Sequence, residues 1–144
     1  MFRVLMMVSK RTMYIVMAGT AILAVVAAIY TPILMNWDSG DYGDVTVAEA
    51  SNLIGDKPDL VILDVRTQAE YDDGHIEGAI LIPVLELPDR LGELDKGDEL
   101  LVYCRTGNRS GTAVGILEDA GFTKIYHMSD GISTWISEGY SVVQ

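Results

Sequence analysis

Residues 100–110 read LLVYCRTGNRS, an uncharged run followed by a polar turn. Five residues without a charge, ending at Cys104, are typical of a parallel strand that is buried on both faces. After the turn, residues 110–120 carry apolar side chains at helical spacing, and Gly121 ends the pattern. The stretch therefore predicts a strand–turn–helix unit in which Cys104 is the last residue of the strand.

The same alternation continues through residues 44–144. A second aliphatic run, LVILDV, occupies residues 60–65, and shorter strands are predicted at 79–82 and 124–127. Helices are predicted over residues 46–54, 67–72, 85–94 and 132–138. Thr46 and Glu49 form a capping box at the start of the first helix, and Pro88 breaks the third. The pattern predicts an α/β domain with a mostly parallel sheet, in which ligands bind beyond the carboxyl ends of the strands.

The N-terminal region has a different composition. Residues 13–35 are uncharged, and as a helix they would reach about 34 Å, enough for a hydrocarbon core of about 30 Å. Arg3, Lys10 and Arg11 all precede this run, and residues 1–36 contain no acid. The positive-inside rule then predicts a single transmembrane anchor, with residues 1–12 in the cytoplasm and the domain outside it.

Two other interpretations of residues 13–35 stay open. The segment could be a signal peptide that is cleaved near the small residues Val26, Ala27 and Ala28, which would release a secreted or periplasmic domain. A buried core helix is disfavoured, because such a helix would show a polar stripe. Residues 36–43 are polar and contain glycine, as expected of a linker, so the globular domain is predicted to span residues 44–144.

Composition excludes several classes of protein. The chain has 144 residues, of which 49% are hydrophobic and 22% charged, and this excludes a disordered chain. Residues 37–144 contain 7 basic and 21 acidic residues, a net charge of −14, which argues against nucleic-acid binding. Cys104 is the single cysteine, so neither an intramolecular disulfide nor a cysteine-based zinc site is possible. No metal or cofactor is predicted.

The turn after Cys104 suggests a reactive thiol. A short strand–turn–helix can curl its backbone N–H groups around the sulfur, and the helix N-terminus adds positive potential. Gly107 and Asn108 tolerate left-handed conformations in such a curl, and Arg105 and Arg109 flank it. Each feature favours the nucleophilic thiolate. The alternative is a buried strand cysteine that acts only as a small hydrophobic side chain.

Residues 44–144 also resemble a single rhodanese domain, through three motifs that occur in the family's order. The motifs are DVR at 64–66 with EY at 70–71 and GHIEGA at 74–79, then CRTGNRS at 104–110, and finally DGI at 130–132 with Trp135 and GY at 139–140. Asp130 and Ser141 depart from the family pattern, which has Gly and Pro there, but neither lies in the cysteine loop. The resemblance implies a rhodanese-like fold with a five-stranded, mostly parallel sheet flanked by helices.

The resemblance implies sulfurtransferase chemistry, with Cys104 as nucleophile and persulfide carrier. The sulfur would come from a small anion such as thiosulfate and pass to cyanide or a thiol. Residues expected to bind substrate or persulfide are Arg105, Thr106, Gly107, Asn108, Arg109 and Ser110. Arg105 and Arg109 would hold an anionic donor, although Arg109 could instead turn inward as a structural clamp. Asp64 and Arg66 are expected to brace the loop, with direct substrate contact as the alternative. His75 is a general base candidate, but it and His127 are expected to make local hydrogen bonds.

Two rival functions remain. Cysteine phosphatases and related arsenate reductases use C-x5-R, whereas Arg109 lies only five residues after Cys104, so this loop is one residue short. A smaller loop suits a single sulfur atom and should crowd a phosphate or arsenate. The second rival is an exported binding module of the same fold whose cysteine is retained but idle.

Overall fold

The computed structural model describes residues 42–144, and every structural statement below refers to these residues. Five strands form one sheet, and all of its pairings are parallel. The strands are β1 (Gly43–Val45), β2 (Val61–Asp64), β3 (Ile80–Leu81), β4 (Leu100–Tyr103) and β5 (Ile125–Met128). Their spatial order is β1-β5-β4-β2-β3, so β4 lies at the centre and Cys104 follows it directly. The predicted α/β fold with a five-stranded parallel sheet is confirmed.

Four α-helices connect the strands, and a fifth follows the last strand. They are α1 (Val47–Asp56), α2 (Gln68–Asp73), α3 (Leu87–Arg90), α4 (Asn108–Asp119) and α5 (Gly131–Ser137), and a 3₁₀ turn (Leu91–Glu93) follows α3. The capping box of Thr46 and Glu49 is present, and Thr67 and Glu70 form a second one. The helix predicted over 85–94 is thus an α-helical turn with Pro88 near its start, continued by the 3₁₀ turn.

Two hydrophobic clusters cover the two faces of the sheet. Along β4, Leu101 and Tyr103 belong to one cluster, and Leu100 and Val102 belong to the other. Successive side chains of a strand point to opposite faces. A strand that is covered on both faces therefore has apolar residues on both of them and shows no alternation with polar residues. This explains the uninterrupted apolar run before Cys104, which itself packs in the second cluster.

The first strand was not predicted. β1 lies at the boundary between the predicted linker and the domain, and Gly43, assigned to the linker, is its first residue. The strand is three residues long with only Val45 buried, so it carries no apolar run. Its pairing with β5 and the contact between the rings of Tyr42 and Tyr126, 5.0 Å apart, hold it in place.

The predicted anchor, residues 13–35, lies outside the described residues, as do residues 1–12 and most of the predicted linker. Within residues 42–144 no helix is both long enough and apolar enough to cross a membrane.

Candidate active site

Cys104 lies at the carboxyl end of the central strand, where an α/β sheet presents its ligand site. Its Sγ accepts a hydrogen bond from the backbone N–H of Gly107 at 3.2 Å, and the hydroxyl of Ser110 lies 3.4 Å from it. The side chain is almost completely buried. The residues from Cys104 to Ser110 therefore curl around the sulfur, as the sequence predicts.

Helix α5 fixes the orientation of this curl. Ile132 donates its backbone N–H to the carbonyl of Cys104 at 2.9 Å, and Ser133 donates to the carbonyl of Arg105 at 3.1 Å. The first N–H groups of a helix have no partner within the helix, and here they bind the loop carbonyls. The carbonyl oxygens of the loop thus point towards α5, which leaves N–H groups on the side of the sulfur.

Two glycines allow the loop to approach α5 and the turn that precedes it this closely. Gly107 has φ +91° and Gly131 has φ +70°, both in the left-handed region. A Cβ atom at Gly107 would overlap the backbone of Ser129, and one at Gly131 would overlap the backbone of Arg105. Asn108 is not left-handed, because no residue other than glycine in the described part of the chain has a positive φ. That part of the prediction was wrong: Asn108 is the first residue of α4.

The surroundings of Cys104 lower the pKa of its thiol. Burial opposes ionisation, but the hydroxyl of Ser110 and the backbone N–H groups of Ser110, Thr106 and Gly107 outweigh it by hydrogen bonding to the thiolate. The N-terminus of α4 also points at the sulfur and adds positive potential. The loop therefore stabilises a negative charge on one sulfur atom.

Asp64 and Arg66 form a buried ion pair beside the loop. Arg66 binds Asp64 through Nε, at 3.0 Å from both carboxylate oxygens, and through one terminal nitrogen at 2.6 Å. The same terminal nitrogen donates to the carbonyl of Gly74 at 2.8 Å. The pair ties β2 to the turn after α2. No printed contact joins it to residues 104–110, so the predicted bracing of the cysteine loop stays a prediction.

Arg109 forms a second ion pair. Its two terminal nitrogens bind the two carboxylate oxygens of Glu70, each at 2.7 Å. Hydrogen bonds from Arg109, together with those from Thr67, lower the pKa of Glu70 to about 2 against the cost of burial. Arg109 is thus ion-paired with Glu70, and the choice between a donor contact and a structural clamp stays a prediction. The family motif contains Glu70, but no local pattern linked it to the cysteine loop.

Arg105 and Thr106 are exposed at the rim of the loop. Among the described residues, the guanidinium of Arg105 has no hydrogen-bond or ion-pair partner. Arg105 lines a cleft of about 240 Å³ together with Arg66, Glu70, Ile132 and Ile136. A larger cleft of about 650 Å³ lies on the other side of Arg66 and Arg109, against Pro83, Val84 and Leu85. Two clefts therefore flank the loop, and Arg105 supplies an unpaired positive charge in one of them.

The two histidines behave differently. Nδ1 of His75 lies 3.0 Å from the carbonyl of Tyr71, and its ring stacks on the Tyr71 ring, so its contacts are local as expected. His127 was also expected to make a local hydrogen bond. Its Nε2 instead lies 2.9 Å from Oγ of Ser110, and its Nδ1 lies 2.7 Å from Oδ1 of Asp44. This contact with the cysteine loop was missed, because nothing near His127 in the sequence indicates it.

Comparison with known proteins gives a consistent family. The sequence model of the rhodanese-like domain matches residues 46–138. A protein of Allochromatium vinosum named sulfurtransferase is 32% identical over 93 residues, covering 65% of this chain and 87% of that protein. A crystal structure of a rhodanese-related protein from Thermoplasma volcanium is 35% identical with a TM-score of 0.65, covering 71% of this chain and 98% of that one.

Other relatives carry other names. A tRNA uridine(34) hydroxylase of Citrobacter koseri is 31% identical over 103 residues, which cover 67% of this chain but 29% of that protein. Further curated relatives are also much longer, since the matched region spans only 24% to 41% of their length. In these proteins the matched region is one part of a larger chain.

Proposed function

The chain belongs to the family of rhodanese-like domains, and from this premise we propose that it transfers sulfane sulfur through a persulfide on Cys104. One observation carries the proposal. The hydroxyl of Ser110 and several backbone N–H groups converge on a single buried sulfur atom and lower the pKa of its thiol. A site of this kind makes a nucleophile and also holds the anion that the nucleophile becomes.

The reaction has two displacement steps. With thiosulfate as donor, the Cys104 thiolate attacks the outer sulfur, a new S–S bond forms, and sulfite leaves with the electron pair of the broken S–S bond. The product is a persulfide anion, whose outer sulfur stays within reach of the loop N–H groups. An acceptor nucleophile, cyanide or a thiolate, then attacks that outer sulfur, and the Cys104 thiolate leaves.

The unpaired charge of Arg105 supports an anionic donor. Arg66 and Arg109 are already neutralised by Asp64 and Glu70, whereas Arg105 has no partner among the described residues. We therefore assign the electrostatic contact with the donor to Arg105. Arg109 keeps the loop attached to α2 through Glu70.

The mass of the full chain after treatment with thiosulfate tests the proposal. The expected result is a gain of one sulfur atom, about 32 Da from its atomic mass, that is lost on adding cyanide. The Cys104→Ser variant should gain nothing. A folded wild-type chain that never gains the sulfur would overturn persulfide formation from this donor. Hydrolysis of a chromogenic phosphate ester would instead support a phosphatase, and inactivity in both assays would support a binding module.

A membrane anchor is a separate proposal, which rests on residues 13–35 alone. An uncharged run of 23 residues preceded by three basic residues supports a single-pass protein with the domain outside the cytoplasm. Protease added to intact spheroplasts should then degrade residues 44–144. Protection until the cells are lysed would overturn this orientation. A soluble form that begins near residue 28 would indicate signal cleavage instead.

A further inference from the structure

A chain of hydrogen bonds leads from the buried sulfur to the protein surface. Sγ of Cys104 lies 3.4 Å from Oγ of Ser110, and Oγ lies 2.9 Å from Nε2 of His127. Nδ1 of His127 lies 2.7 Å from Oδ1 of Asp44. Ser110 is fully buried, His127 is partly buried, and the side chain of Asp44 is 75% exposed. The four residues connect the thiol to solvent.

The sheet builds this arrangement. Asp44 and His127 are direct partners in the parallel pairing of β1 with β5, so their side chains extend from neighbouring positions on the same face. Ser110 lies in the first turn of α4, which packs over β5, and the adjacent Gly111 lies close to Cε1 of the His127 ring. The contact between Asp44 and His127 therefore depends on β1, the strand that was not predicted from the sequence.

The protons along this series of hydrogen bonds can be counted. The hydroxyl of Ser110 has one proton and three neighbours within reach: Sγ of Cys104, Nε2 of His127 and the carbonyl of Gly107, at 2.9 Å. If the neutral ring of His127 donates from Nδ1 to Asp44, its Nε2 can only accept, and Ser110 must donate to it. If the ring is protonated, Nε2 donates to Oγ, and Ser110 is free to donate to the sulfur.

We propose that His127, oriented by Asp44, takes up the proton released by Cys104 through Ser110 and thereby directs the Ser110 hydroxyl at the thiolate. The S–H proton passes to Oγ, and the former hydroxyl proton passes to Nε2. One S–H bond is broken, one N–H bond is formed, and Ser110 exchanges its proton without a net change. The products are a thiolate and an imidazolium that is paired with the Asp44 carboxylate. His127 and Asp44 are positioning residues, since neither touches the sulfur.

The other charged groups near this series of hydrogen bonds are either ion-paired or take no part in it. The ring of His127 faces Asp44 from β1 and Ser110 and Gly111 from α4, and its register partner on β4 is the uncharged Val102. Near the thiol are two neutralised ion pairs, Asp64–Arg66 and Glu70–Arg109, and the exposed Arg105. A substitution at His127 or Asp44 leaves all of these in place.

Alkylation of Cys104 by iodoacetamide as a function of pH tests the proposal in the full chain. Only the thiolate reacts, and Cys104 is the single thiol, so the rate reports its ionisation. His127→Gln should move the midpoint to higher pH by about one unit and slow alkylation at pH 7 by about tenfold. Asp44→Asn, on an exposed side chain, should give a smaller shift in the same direction. His75→Gln removes the other histidine and should leave the profile unchanged.

A double variant separates the proton path from a general structural effect. Once Ser110→Ala has removed the connecting hydroxyl, adding His127→Gln should change the alkylation profile no further. The same shift with and without Ser110, or unchanged profiles in both folded His127→Gln and Asp44→Asn, would overturn the proposal. Alkylation needs no sulfur donor, so this result does not depend on whether the protein transfers sulfur.

Discussion

The connections that follow β2 and β4 both begin at the carboxyl edge of the sheet, but different interactions hold their shapes. After β2, a side-chain ion pair between Asp64 and Arg66 fixes the backbone, and neither side chain is more than 6% exposed. After β4, the loop is shaped by two glycines and by N–H groups of α5, and it carries no internal ion pair. The side chains that brace the first connection neutralise each other, whereas the second directs its backbone N–H groups at the sulfur of Cys104.

The difference separates the part that side-chain charges play at this edge from the part that backbone dipoles play. Charged side chains near the thiol would be strong attractors for a substrate, yet Arg66 and Arg109 are paired with carboxylates. The groups that act on the sulfur are mainly backbone dipoles, which cannot rotate away and cost little to organise again during the reaction. Substitutions in the two connections should therefore affect different properties.

The largest effect on function is expected in the second connection. Cys104→Ser should reduce thiosulfate:cyanide sulfur transfer to background, because a serine hydroxyl cannot form the persulfide. Stability should change by less than about 1 kcal/mol, since a serine hydroxyl of similar size can accept the Gly107 N–H that Sγ accepts. Initial rates and urea unfolding measure the two effects. Transfer activity well above background would contradict the role of Cys104.

The largest effect on stability is expected in the first connection. Asp64→Ala leaves the Arg66 guanidinium buried without its partner, and the loss of one member of a buried ion pair costs about 3–5 kcal/mol. Urea unfolding monitored by circular dichroism measures this loss. Glu70→Gln, which breaks the more exposed Arg109 pair, is the matched control and should cost less than about 1 kcal/mol. Equal losses in both variants would mean that burial does not distinguish the pairs.

A smaller effect separates the two arginines of the cysteine loop. Arg105→Ala should raise the KM for thiosulfate about tenfold, within the range of one charge-assisted contact. Arg109→Ala should raise it less, because Glu70 already neutralises that guanidinium. An uncharged sulfur donor supplies the control, since neither variant should bind it more weakly. The opposite ranking for thiosulfate would mean that Arg109 leaves Glu70 to bind the donor.

The smallest effect concerns pH and the Glu70–Arg109 pair. The pKa of Glu70 is about 2 in the folded protein, below its ordinary 4.5, so the pair stabilises the fold fully above the ordinary value. This contribution is lost as the pH falls from about 4.5 towards 2, and partial exposure limits it to less than about 1 kcal/mol. Glu70→Gln keeps a residue suited to the capping box. The stability difference between wild type and variant should therefore shrink across this window, and a constant difference would count against the pair.

The sequence by itself determined the parts that depend on neighbouring residues. The run at 60–65, aliphatic except for Asp64, and the apolar run at 100–104 predicted strands buried on both faces, because burial on both faces leaves few polar positions in the run. The curl from Cys104 to Ser110 was also predictable, because the sulfur and the groups that surround it lie within seven residues of each other in the sequence. The loop's dependence on Gly107 also follows from local backbone conformation, although Asn108 did not adopt the left-handed form expected of it.

Only the tertiary structure decided which distant side chains meet. β1 has no apolar run and exists because β5 pairs with it. Arg109 binds Glu70 from 39 residues away, and His127 binds Asp44 from 83 residues away. Contacts over such separations leave no periodicity or spacing in the chain, because they arise only when parallel strands bring remote residues to one edge of a sheet. The position of Cys104 at the end of a buried strand was therefore predictable from the sequence, whereas the ion pair of Arg109 and the hydrogen bonds that lead to His127 were not.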